Sequence, residues 1–133
     1  MTAIHLKMHM LGDALYVYVQ LFNLNTGKFE PTLLTFDTGA STTTISSDIL
    51  SKLGYDISSG AKKEIITGSG VEPVREIFVE KIKIAGYELN KVRTYAHNFP
   101  DECFSSGVIG LNILSQFDIN LLFSKKLIEL KRI

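Results

Sequence analysis

Cysteine is nearly absent: Cys103 is the only one in 133 residues. No internal disulfide can staple the chain, and a reducing compartment is its simplest home. An excess of charge of either sign is also lacking. Fourteen lysines and arginines balance fourteen aspartates and glutamates, which excludes the basic stripe that nucleic-acid binding uses. No long apolar run occurs. The most apolar stretch, Ala14 to Leu24, carries Gln20 and Asn23 and falls far short of the roughly 20 residues of a membrane span. Met1 to Met10 alternates apolar Ile4, Leu6, Met8 and Met10 with polar His5, Lys7 and His9. That is the period of a strand, not the unbroken apolar core of a secretion signal. These absences lead to the expectation of a soluble, cytoplasmic protein with no nucleic-acid or membrane partner.

What is present is globular. Apolar residues make up 45% and charged ones 21%, and a chain of this length buries about 70% of its unfolded surface without staples. With no repeat, low-complexity tract or linker, a single domain over residues 1–133 is expected. Thr2–Met10 and Ala14–Phe22 read as strands joined by a hairpin at Leu11-Gly12-Asp13. Phe29–Phe36 is a third strand, with Pro31 near its start. Ser46–Leu53 predicts a helix, with Ser46 or Ser47 to cap it and Gly54 to end it. From Glu64 the chain returns to strands, broken by Gly68-Ser69-Gly70. Val71–Ala85 and Tyr87–His97 follow, flanking a turn at Gly86. After a polar loop at Asn98–Gly107, a short helix is expected at Leu111–Gln116. Phe117–Phe123 and Lys126–Ile133 then form a hairpin. The class is mainly β, a small closed barrel with one or two short helices.

Two segments carry chemical interest. Leu33-Leu34-Thr35-Phe36-Asp37-Thr38-Gly39-Ala40-Ser41 delivers a partly desolvated aspartate at the end of an apolar strand, with a glycine behind it for a tight turn. Alone, Asp-Thr-Gly reads first as a turn closing a strand. The second segment, Val108-Ile109-Gly110 followed by Leu111-Asn112-Ile113-Leu114, lies further on, with Gly110 standing 73 residues after Asp37. Between them comes the glycine-bearing hairpin at Gly68–Gly70.

This order resembles the retropepsin-like family of aspartic proteases, the single-lobe relatives of pepsin, over most of the chain from Leu33 onward. The resemblance implies a retropepsin-like acid-protease barrel and an aspartic endopeptidase without metal or other cofactor. It makes Asp37 the catalytic aspartate, supported by Thr38, Gly39 and Ala40. Thr38 would bond backbone across a dimer, and Gly39 would permit the turn. Gly68, Ser69 and Gly70 would tip a flap over a polypeptide substrate. Val108, Ile109 and Gly110 would pack behind the catalytic loop.

The chain holds one Asp-Thr-Gly. Asp13, Asp48, Asp56, Asp101 and Asp118 sit in turns, a helix start or polar loops. Aspartic proteolysis needs two facing carboxylates, so the expectation is a homodimer about a two-fold axis. Thirty-six residues precede Asp37 and twenty-three follow Gly110, more than in minimal viral members. The Phe117–Ile133 hairpin is therefore a candidate interface. His5 and His9 lie on one expected strand about 13 Å apart, too far to share a metal. His97 and Cys103 have nothing to orient them as a nucleophile pair. The rival from another class is a retropepsin-like module that dimerises or binds peptide without turnover.

Overall fold

The computed structural model describes residues 3–100 and 103–133. The start of the first expected strand, at Thr2, and Asp101 in the polar loop lie outside the described residues. Alternation of small and branched apolar side chains builds most of the rest as strands. In order these are β1 (Ile4–Lys7), β2 (His9–Leu11), β3 (Ala14–Phe22), β4 (Phe29–Phe36), β5 (Thr44–Ser46), helix α1 (Ser47–Lys52), a 3-10 turn at Ile57–Ser59, β6 (Ala61–Thr67), β7 (Gly70–Ile84), β8 (Tyr87–His97), β9 (Gly107–Ile109), helix α2 (Leu111–Leu114), β10 (Phe117–Leu122) and β11 (Leu127–Arg132).

Six strands close on themselves. The sheet runs β3-β4-β9-β5-β8-β7, and β7 returns to β3 through Gln20↔Lys83 and Leu21↔Ile82. Closure removes the exposed strand edges that an open sheet would present. Hairpin partners β2 and β6 extend from the ring, and β1-β11-β10 form a separate three-stranded sheet. The barrel and short helices agree with the expected class.

The core follows the two-residue period. Val17, Val19 and Leu21 of β3 are fully buried, as are Leu34, Ile45, Val79, Ile82, Ile84 and Ile109. Ile128 and Leu130 bring β11 into the same cluster with Leu6, Ile113 and Phe117. On the β7–β8 hairpin the buried face switches from Ile77 and Val79 to Ile82 and Ile84. The switch falls at Glu80 and Lys91, where the ladder skips a pair and Lys91 takes φ +48. Tyr55 fills the gap. Its hydroxyl accepts from the Glu80 N–H at 3.3 Å and donates to the Phe22 carbonyl at 2.8 Å. Burial pushes the Tyr55 hydroxyl above its ordinary pKa and keeps it a donor.

Three expectations are corrected. The strand expected over Thr2–Met10 breaks at Met8, whose N–H bonds the Lys126 carbonyl at 2.9 Å. The chain there leaves one sheet for the other, so His5 and His9 stand on different strands. His5 faces Glu129 at 3.5 Å and His9 packs edge-on against Tyr18. The second helix stops at Leu114, two residues early. The short strands β5 and β9, both central to the ring, were not expected.

Candidate active site

The site is built where two parallel ladders meet. β4 runs parallel to β9, with Thr35↔Val108 and Phe36↔Ile109, and β5 runs parallel to β8. β9 is wedged between β4 and β5. Gly107 permits the wedge: its φ is +148, and a Cβ would stand 2.1 Å from the Thr44 carbonyl oxygen. Beside it Ser105 donates to the Gly107 carbonyl at 2.9 Å, so the Thr35 hydroxyl is the donor in its 2.8 Å bond to Ser105.

Asp37 follows the last residue of β4. Its N–H reaches the Ile109 carbonyl at 3.2 Å, and its Oδ1 accepts from the Gly39 N–H at 2.9 Å. Gly39 does not adopt a left-handed φ. Its value is room, because a Cβ would lie 3.1 Å from that same Oδ1. Asp37 and Ala40 are partly buried, whereas Thr38 and Gly39 are exposed at the crest of the loop.

Val108-Ile109-Gly110 lies directly behind this loop, and Gly110 fits tightly. A Cβ there would meet the Ala40 carbonyl oxygen at 2.8 Å and Thr43 N at 3.0 Å. The Leu111 N–H bonds the Ala40 carbonyl at 2.8 Å and the Asn112 N–H bonds Ser41 at 3.1 Å.

Two residues that sequence reasoning missed complete the clamp. Asn112 Oδ1 accepts from both Thr43 N and Thr43 Oγ1 at 2.8 Å, and its Nδ2 donates to the Arg93 carbonyl at 2.7 Å. The Thr43 hydroxyl in turn accepts from the Gly110 N–H at 3.1 Å. The one signal for them was an asparagine two places after the glycine, and it read as a helix start.

Opposite the loop stands the β6–β7 hairpin. Ile65↔Glu72, Ile66↔Val71 and Thr67↔Gly70 pair, leaving Gly68 and Ser69 at the tip. The Thr67 hydroxyl closes the turn by accepting from Ser69 N–H at 3.3 Å and donating to the Gly70 carbonyl at 3.2 Å. Ile66 is 89% exposed. Asp37, Ala40 and Val108 on one side, with Ile65, Thr67 and Ser69 on the other, line a cleft of about 1090 Å³. The structure thus brings Asp37, Gly39, Ala40, Val108 and Ser69 to one cavity. Gly68 and Gly70 shape the hairpin without lining it, and Ile109 and Gly110 support the floor from behind. Cys103 is exposed.

A closed six-stranded ring, an aspartate loop backed by a buried hydrophobic-hydrophobic-glycine strand, and a glycine-tipped hairpin across a cleft together define a retropepsin-like fold. The comparisons agree. A family model described as aspartyl protease matches residues 22–113, and the chain belongs to that family. A solved structure of a retropepsin-like aspartic protease from Rickettsia conorii is similar in fold, with a TM-score of 0.69 at 18% identity. That match covers 97% of this chain and 89% of the other. No curated protein sequence matches. Among the described residues no helix is long and apolar enough to cross a membrane.

Proposed function

We propose that the protein is an aspartic endopeptidase acting as a homodimer, with Asp37 supplied once by each copy. The observation that carries the reading is Asp37 itself, partly buried in a cleft of about 1090 Å³ beneath a glycine-tipped hairpin. Family membership supports the reaction class. The exposed crest at Thr38 and Gly39 leaves the loop free to meet its two-fold mate, where the Thr38 hydroxyl would bond the partner's backbone.

Two carboxylates at hydrogen-bonding distance share one proton, because two like charges so close do not both ionise. This is general among aspartic proteases. The ionised carboxylate takes a proton from a bound water, which attacks the scissile carbonyl carbon. The protonated carboxylate donates to the carbonyl oxygen. Collapse of the tetrahedral intermediate breaks the C–N bond as the amine leaving group is protonated, and no acyl-enzyme forms. The Gly39 N–H on Oδ1 and the clamp behind Gly110 hold the carboxylate in its plane, so little reorganisation remains for the reacting state. The flap hairpin would close over the peptide and exclude water.

The test is cleavage of a diverse peptide pool by wild type and Asp37→Asn at a concentration that keeps the dimer. The expected outcome is loss of turnover of at least about a thousandfold in the variant, with fold and self-association retained. Specific activity of the wild type should also fall on dilution through the dimer dissociation constant. Undiminished cleavage by purified Asp37→Asn, or a fully active monomer in light scattering, would refute the reading.

A further inference from the structure

His97, the last residue of β8, lines the cleft, and its Nδ1 is buried without a hydrogen-bond partner. Phe99 packs edge-on against the ring at 5.0 Å between centroids. A buried polar atom left unpaired is costly. His97 as a whole is only partly buried and lines the cleft, so a turn of its ring lets a ligand bring the missing partner.

The strand register says what stands near it. Arg75 pairs with Ala96 in the last rung of the β7–β8 ladder, and Val74 and His97 are the next residues beyond it. Glu72 lies two residues beyond Val74 on the same face of β7. Glu72 is half-buried and lines the same cleft. The ion pairs among the described residues are His5–Glu129 and Arg93–Glu76, so Glu72 has none.

The charges of the cleft all have one sign. Asp37, Glu64 and Glu72 line it, and no lysine or arginine does among the described residues. Lys62, Lys63 and Arg75 line an adjoining cavity of about 830 Å³, which meets the cleft at Glu64, His97 and Asn98. Arg75 is already engaged there, donating to the Ser58 and Gly60 carbonyls at 3.4 and 3.0 Å.

We propose that the cleft takes a cationic substrate side chain, lysine or arginine, held by the Glu72 carboxylate and Nδ1 of His97. The inference rests on the protease reading and names its substrate class: polypeptides with a basic residue beside the scissile bond. With its proton on Nε2, the imidazole presents Nδ1 as an acceptor, and the carboxylate is a second acceptor. Two acceptors without a donor match an ammonium or guanidinium, which has several donors and a positive charge. An acidic side chain would face three carboxylates. An apolar one would leave both acceptors unpaired, and it is this kind of mismatch that hydrogen-bonding sites reject most strongly. In a two-fold dimer each copy brings one such pocket, so a basic residue is favoured on either side of the cut.

The test uses peptide pairs that differ at one position near the cut, lysine against norleucine, which keeps the stem and lacks the ammonium. Wild type should favour lysine in kcat/KM by about tenfold or more, and Glu72→Gln should lose most of that ratio. Glu72→Lys should turn the preference towards glutamate, and His97→Phe should narrow the lysine ratio while the rate on norleucine holds better. The same pairs are titrated by fluorescence anisotropy onto Asp37→Asn. Lysine-selective binding by Asp37→Asn together with no turnover by wild type would sink the protease reading and uphold the pocket. Turnover with equal rates on lysine and norleucine would overturn the pocket and leave the protease standing. A Glu72→Gln variant with an undiminished lysine preference would also overturn it.

Discussion

Replacing Asn112 with alanine probes the device that holds the aspartate loop. Two of its bonds go to Thr43, whose side chain is fully buried, so water has no ready access to the groups left behind. Each costs about 1 kcal/mol net when removed. The third, to the Arg93 carbonyl, is solvent-exposed and adds little once water replaces it. The expected loss is therefore about 2 kcal/mol, or about 7 °C in Tm for a domain of this size. Urea unfolding at one fixed chain concentration measures it, because the proposed dimerisation would make apparent stability depend on concentration.

Thr43→Val supplies the second arm of a double-mutant cycle. It removes the hydroxyl that donates to Asn112 and accepts from the buried Gly110 N–H. Since the two side chains share one bond, their effects should couple by about 1 kcal/mol. The loosened loop should lower kcat by about tenfold or more and leave KM nearly unchanged, since a misplacement of about 1 Å can cost a hundredfold. An Asn112→Ala protein within about 0.5 kcal/mol of wild type, or additive singles, would refute the clamp.

Gly110→Ala should cost about 1–3 kcal/mol and depress cleavage, because its Cβ meets backbone of Ala40, Thr42 and Thr43 that cannot step aside. Gly68→Ala, with open space around it, should stay within about 0.5 kcal/mol in the same assay. Tyr55→Phe should lose about 1–2 kcal/mol, because the Phe22 carbonyl and Glu80 N–H lose their partner. The raised pKa of Tyr55 gives a stability contribution that is present below about pH 10 and lost as pH rises through the folded value. Denaturation against pH should show that alkaline loss in wild type and a smaller one in the phenylalanine variant. Amide exchange over Ile65–Val74 should slow on binding a statine-type inhibitor, and unchanged exchange at saturation would count against a closing flap.

Periodicity located long strands well, because the buried residues of Ala14–Phe22 alternate and those of Tyr87–His97 alternate on either side of the switch at Lys91. It could not see the break at Met8. Alternation records which face a side chain takes and not which strand its backbone pairs with, and Met8 is buried whether the strand continues or changes sheets. Strands β5 and β9 have three residues each, below any window that shows a period. They exist because β4 and β8 offer them partners far away in sequence. Asp37 stood out as a candidate because Asp-Thr-Gly is written in adjacent residues. Thr43 and Asn112 did not, since their bond spans 69 residues and arises only after Gly110 has brought the two loops together. His97 read as a polar strand end, and only packing leaves its Nδ1 unpaired.

The two sides of the cleft differ in how firmly they are held, and the difference fits the proposed chemistry. Below, Asp37 is tied to Ile109, Ala40 to Leu111, Ser41 to Asn112 and Thr43 to both Gly110 and Asn112. All of these rest on a core in which Ile45, Ile109 and Ile113 are fully buried. Above, β6 is an edge strand paired only with β7, and none of its seven residues is buried. Segments with few buried apolar contacts open at low free energy, whereas core-backed loops open only with the whole domain. A hydrolase that positions water needs its carboxylate fixed to within about half an ångström, and it needs a roof that lifts to admit a chain. Glu72 stands on that roof while His97 ends a strand of the ring. A basic side chain bridging them would tie lid to barrel at the moment the substrate is seated. Recognition of charge and closure over the peptide would then be one event, and a peptide without the cation would leave the flap less firmly shut.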